Sequence, residues 1–97
     1  MIYYLRVNIK KIIDQLAAEW DVWPRILKEA CAQVARHERQ EFDAKGVYCQ
    51  LQIPKGERRH LQKLSSVGLI EKVPEGKADY YRIPQRAAIE AVLQQYY

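Results

Sequence analysis

Ninety-seven residues, 48% of them hydrophobic and 29% charged, suffice for one modest core, so a single domain spanning 1–97 is expected. No run of about 18 apolar residues occurs, which excludes a helical membrane span. The first residues lack the basic start, long apolar run and cleavage site of a secretory signal, so a cytoplasmic protein is expected. The formal net charge of +4 is unevenly spread. Residues 1–52 hold eight Lys/Arg against seven Asp/Glu, residues 53–83 seven against four, and residues 84–97 one of each. The excess therefore sits in the 53–83 segment, and a local basic surface attracts polyanions.

Residues 2–7 are β-branched and aromatic and read as a short strand or an extended arm. Asn8 is a candidate N-cap for a first helix. In that helix Ile9, Ile12, Ile13, Leu16, Ala17 and Trp20 recur at helical spacing, with Lys10, Lys11, Asp14 and Glu19 outside. Pro24 suits the first turn of a second helix, where its missing N–H costs nothing. Ile26, Leu27, Ala30, Cys31, Val34 and Ala35 form its apolar stripe, which Phe42 extends. The charged 36–45 segment reads as a solvated helical extension, or as a helix packed only at Phe42, with Gly46 as its stop.

Residues 47–53 alternate. Val47, Cys49, Leu51 and Ile53 lie on one side and Tyr48, Gln50 and Gln52 on the other, the pattern of a half-buried strand. Pro54, Lys55 and Gly56 then turn the chain. The two cysteines, Cys31 on a helix stripe and Cys49 on the apolar side of this strand, read as buried small hydrophobes. Their spacings to His37 and His60 match no structural zinc pattern, so no metal is expected, and no cofactor motif is visible.

Residues 55–67 form a basic amphipathic helix on a wheel of 100° per residue. Leu61, Leu64 and Glu57 point one way with Val67 at the flank. Lys55, Arg59, Gln62, Lys63 and Ser66 point the other way, with Arg58 at the edge. Arg can bridge guanine acceptors, Gln can pair with adenine, and Lys and Ser can hold phosphates, so these residue types suit major-groove readout. A solvated helix face is the competing explanation, because Lys, Arg and Gln are good helix formers anyway. His60 reads as an ordinary solvent-edge or helix-packing residue.

Gly68 ends the helix where a left-handed residue is convenient. Residues 69–73 and 79–83 are β-prone and joined by the turn-rich 74–78, so a hairpin follows, with Lys72, Lys77 and Arg82 able to reach a DNA backbone. A last helix from Arg86 carries Ala88, Ile89, Val92, Leu93 and Tyr96 on one stripe. That stripe and the Ile12, Leu16, Trp20 and Trp23 set are candidate dimer faces. Burial in the chain's own core is favoured for both.

Leu61-x-x-Leu64-x-x-x-Gly68-Leu69-Ile70-Glu71, then a charged tip and Tyr80-Tyr81-Arg82-Ile83-Pro84, resembles the recognition helix and wing of bacterial winged-helix regulators of the MarR, PadR and ArsR kinds. The resemblance covers about residues 55–95. It implies an α+β winged-helix fold, mainly helical with a small antiparallel β-hairpin wing. It also implies a homodimer on a pseudo-palindromic site in double-stranded DNA. Those families place a short helix and tight turn before the recognition helix. Here either the long 24–44 segment is that helix, or residues 48–52 form a helical turn.

The expected function is a small DNA-binding transcriptional regulator, a repressor or autoregulator. Arg58, Arg59, Gln62, Lys63 and Ser66 would read DNA, and Lys55, Lys72, Lys77 and Arg82 would anchor it. Two alternatives stand. One is a winged helix used for protein contact through the 36–45 segment and the tyrosine pairs Tyr3-Tyr4 and Tyr96-Tyr97. The other is a DNA-binding accessory factor in replication, partition or transposition. No phosphate loop, paired-carboxylate pattern or nucleophile motif occurs, so an enzyme is not expected and no catalytic residue is assigned.

Overall fold

The computed structural model describes residues 2–37, 41–57, 59–73 and 80–96, with side chains for all of these except residues 2–8, 37 and 57. The elements run α1 (Ile2–Glu19), α2 (Val22–His37), β1 (Glu41–Asp43), α3 (Ala44–Gln50), a 3-10 turn at Lys55–Glu57, α4 (His60–Ser66), β2 (Glu71–Lys72), β3 (Tyr80–Arg82) and α5 (Arg86–Leu93). The fold is α+β, mainly helical, with one three-stranded antiparallel sheet. None of the described helices is long and apolar enough to cross a membrane.

The first helix starts earlier than the sequence suggests. Residues 2–7 are helical, neither strand nor arm, and Asn8 lies inside α1, away from its N-terminus. Ile2, Leu5, Ile9, Ile12, Ile13 and Leu16 keep a spacing of three and four, and this continuous period overrides the β propensity of single residues. Ile9, Ile13 and Leu16 are buried. Pro24 is in the first turn of α2, whose stripe Ile26, Leu27, Ala30, Cys31 and Val34 is buried while Ala35 is exposed. α2 is the hub of the molecule, meeting α1, α3, α5 and β1.

The charged 36–45 segment is not one helix through Phe42. α2 is described to His37, residues 38–40 lie outside the described residues, and Glu41–Asp43 forms β1 with Phe42 facing the core and stacked on Tyr81 at 6.0 Å. Asp43 is extended (φ −92°, ψ 116°), and its Oδ1 accepts the Lys45 N–H at 3.1 Å. One residue thus closes a strand and caps the next helix. Gly46, the expected stop, lies within α3.

The expected strand over 47–53 is helix α3 followed by a turn. Ala44, Val47, Tyr48 and Leu51 fit a helical stripe, and the first three are buried. Cys49, expected inside, is exposed because the helix turns it away from Val47. Cys31 is buried as expected, and burial pushes its thiol up to about 12.

The strands lie in the order β1-β3-β2. Phe42 faces Tyr81 and Asp43 faces Tyr80 on one side of β3, while Glu71 faces Arg82 and Lys72 faces Tyr81 on the other. The expected hairpin is therefore present as β2 and β3, and its expected tip, 74–78, lies outside the described residues. In α5, Ile89 and Leu93 are buried, and Ala88, Val92 and Tyr96 pack against the same core. The Tyr96 hydroxyl donates to Asp14 of α1, which also receives Lys10 Nζ at 2.8 Å. Lys10 and then Tyr96 lower the Asp14 pKa, and the same bond holds the Tyr96 phenol up at about 12.

Candidate nucleic-acid interface

The helix expected over 55–67 is shorter. Lys55–Glu57 is a 3-10 turn and α4 proper begins at His60. Arg59 occupies the N-cap position without a side-chain cap bond. The opening turn of a helix has four N–H groups with no partner of their own. Here the Leu61 N–H donates to the Tyr48 hydroxyl of α3 at 3.0 Å, in a buried contact. Tyr48, read from the alternation as solvent-facing, is thus buried and ties α3 to the start of α4.

Both helices end on the same arrangement. In α4 the Leu69 N–H donates to Leu64 O and the Gly68 N–H to Ser65 O, each at 3.1 Å, with Gly68 at φ +86°. In α3 the Ile53 N–H donates to Tyr48 O at 2.9 Å and the Gln52 N–H to Cys49 O at 3.1 Å, with Gln52 at φ 58°. These are Schellman caps, in which the residue after the cap takes a left-handed conformation. The α3 cap, the short connection and the Tyr48 bond together define how α4 leaves α3.

The inward face of α4 is Leu61 and Leu64, both buried, with Val67 partly so, as the wheel predicts. Arg59, Gln62, Lys63 and Ser66 are exposed, as is Lys55 on the preceding turn. Residues three and four apart are neighbours on a helix surface, so Arg59, Gln62, Lys63 and Ser66 make one contiguous polar strip. Ser66 Oγ donates to Lys63 O at 2.8 Å. Arg58 lies outside the described residues, as does Lys77 of the wing.

On the hairpin, Lys72 is exposed, with Nζ 4.9 Å from the centre of the Tyr81 ring. Arg82 is half-buried, and its Nε lies 3.4 Å from Glu71 Oε1 across the ladder. Arg82 therefore offers less free charge than the sequence implies. Of the nine expected contact residues, the structure gathers four on the α4 strip, sets Lys55 just before it, and puts two on the hairpin.

Of the two readings of His60, solvent edge or helix packing, the structure gives packing. His60 is buried against Trp20 and Trp23, with ring centres 4.7 and 4.5 Å away and ring planes at 79° and 77°. Trp20 and Trp23 are 6.0 Å apart at 77°. The three rings are mutually near-perpendicular, a favourable arrangement for aromatic quadrupoles. Trp23 is buried, and its Nε1–H finds no acceptor among the described residues. Trp20, Trp23, Gly56, Arg59 and His60 line a recess of about 300 Å³ beside the start of α4. Sequence reasoning missed this grouping. Trp20 and Trp23 belong to the α1–α2 junction, and nothing in local periodicity relates them to Arg59. The hint available was an aromatic pair around a helix break, with a histidine next to two arginines.

No group of three or more potential metal ligands gathers among the described residues. Neither a family model, a curated protein nor a solved structure matches this chain.

Proposed function

We propose that this chain is a winged-helix protein that binds double-stranded DNA as a transcriptional regulator. In this reading α3 and α4 form the helix-turn-helix, α4 enters the major groove, and the β2–β3 hairpin is the wing along the phosphates. The observation that carries the reading is the α3–α4 pair. A short capped helix stands before a basic helix, where regulators of the MarR, PadR and ArsR kinds place one. Arg59, Gln62 and Lys63 are the readout residues on the exposed strip, and Lys55 and Lys72 are phosphate anchors. The order α1-α2-β1-α3-α4-β2-β3-α5 with strands β1-β3-β2 is consistent with a winged helix. Function is binding, with no catalytic group assigned. A homodimer would pair through surface outside the core, because Leu16, Ile89 and Leu93 are already buried within the chain.

Fluorescence anisotropy of the purified protein with a short duplex, across a salt series, tests this reading. Each neutralised phosphate adds about −0.9 to the slope of log affinity against log salt. Arg59→Ala is expected to weaken specific binding by about 1–3 kcal/mol, the scale of a lost bidentate base contact. Flat salt dependence, or an unchanged Arg59→Ala, refutes the α4 assignment and favours a protein-contact module.

A further inference from the structure

Trp20 is the exposed large hydrophobic residue among the described ones, at 44%, and it stands outside the core cluster. Its tilt is nevertheless set by two buried rings, Trp23 and His60, packed edge to face against it. An indole left to solvent on a rigid backing is a preorganised surface, since little side-chain freedom remains to be lost on binding. Arg59 lines the same recess and is exposed, and a Cβ built on Gly56 would meet nothing within 4 Å, so that side stands open.

Three ligand chemistries compete for such a place. An organic ammonium wants several exposed ring faces, but Trp23 and His60 are buried and Arg59 repels a cation. An apolar side chain would leave Arg59 unused. A nucleotide uses both parts, its base on the indole and its phosphate on the guanidinium, and the excess positive charge of residues 53–83 complements it. Glu19 and Asp21 flank Trp20 in the chain, both exposed, Glu19 as the last residue of α1 and Asp21 in the break before α2.

We propose that this recess is a stacking site for an unpaired nucleobase of DNA, with Trp20 as the platform and the Arg59 guanidinium, in place of its base contact within a duplex, on the adjoining phosphate. Resting on the DNA-binding reading, the inference extends it from paired DNA to the point where pairing stops. A base inside a duplex has both faces covered by its neighbours, so the site engages a bulge, a gap or a single strand beside the duplex held by α4.

The test uses the full chain carrying Trp23→Phe, which leaves Trp20 as the sole indole. It is titrated with oligothymidylate, a paired duplex, and the same duplex with one bulged nucleotide. Trp20 fluorescence is expected to be quenched by the single strand and the bulged duplex, and not by the paired one. Trp20→Ala is expected to lower affinity for the bulged duplex roughly 5- to 150-fold, the range for one base–aromatic stack, and to leave the paired duplex unaffected. Trp20→Phe should retain most of the affinity. If Trp23→Phe fails to fold, protection of wild-type Trp20 from acrylamide by oligothymidylate gives the same reading.

Equal affinity of Trp20→Ala and wild type for bulged DNA overturns the stacking site and leaves groove binding by α4 intact. Quenching by the single strand without binding to paired duplex supports the site and overturns groove binding instead. Absence of quenching or protection by either unpaired probe at low salt overturns the site, whatever the paired duplex does.

Discussion

The two Schellman caps allow a stability test with opposite signs. Gly68 at φ +86° and Gln52 at φ 58° hold equivalent positions after α4 and α3. A Cβ on Gly68 would meet nothing within 4 Å, so Gly68→Ala adds no clash and its cost is conformational alone. A left-handed L-residue costs about 1–2 kcal/mol. Reduced freedom of the unfolded chain returns about 0.4–1 kcal/mol. The expected net loss is about 1 kcal/mol. Gln52→Gly runs the reasoning backwards. Gln52 is exposed, so no packing is lost, and a gain of about 1 kcal/mol is expected. For a domain of this size, thermal unfolding should shift by about 4–8 °C, downward for Gly68→Ala and upward for Gln52→Gly. Urea unfolding should show a moved midpoint with unchanged slope. Gly56→Ala is the control, with open space and no positive φ, and is expected to be neutral or slightly stabilising. A Gly68→Ala protein as stable as wild type, or a destabilised Gln52→Gly, would refute the account of both helix ends.

Tyr48→Phe should cost about 1–3 kcal/mol, because the buried Leu61 N–H loses its acceptor, and hydrogen exchange at Leu61 should accelerate. Under native conditions a thiol reagent should modify Cys49 quickly and Cys31 only on unfolding, since burial lifts the Cys31 thiol to about 12. Asp14, held by Lys10 and then by Tyr96, gives two edges to stability against pH. The lowered Asp14 contributes above its ordinary 3.8 and loses that contribution as acid protonates it. The raised Tyr96 contributes fully below 10.0 and loses it as pH climbs toward about 12. Tyr96→Phe should remove the late-titrating phenol from a spectrophotometric titration and flatten the alkaline edge.

How far the sequence could be read depends on which signals had competitors. The Leu61 and Leu64 pair, Gly68 and the β-prone runs around residues 69–83 were legible because the glycine, the helical period and the turn-rich connection agree. The 47–53 segment was not, because Val47 and Leu51 satisfy a period of two and a helical spacing of four alike. The helix ending there carries Gln52 where a glycine would have announced it. Phe42 misled in the opposite sense. It continues the α2 stripe in register, yet a three-residue strand bound to β3 holds it, and no short window reveals a partner so distant in sequence. Asp43 was a readable cap that the charged surroundings obscured. Of the interface, the exposed strip on α4 follows from the wheel, while the aromatic recess depends on α1 and α2 meeting α4, a matter of tertiary contact alone.

Asp43 and Tyr80 stand opposite each other in the β1–β3 ladder, and that pairing has an architectural consequence. The chain leaves the frame at Asp43, makes α3, α4 and β2, and comes back at Tyr80, where paired Cα atoms are only about 5 Å apart. Departure and return points thus coincide, and the whole basic segment is a cassette seated in a frame of α1, α2, α5 and the two paired strands. Its seating surface is Ala44, Val47 and Tyr48 of α3, which meets α2, together with Leu61, Leu64, Leu69 and Ile70. A different insert that keeps these apolar positions and the pairing to β3 could be housed by the same frame.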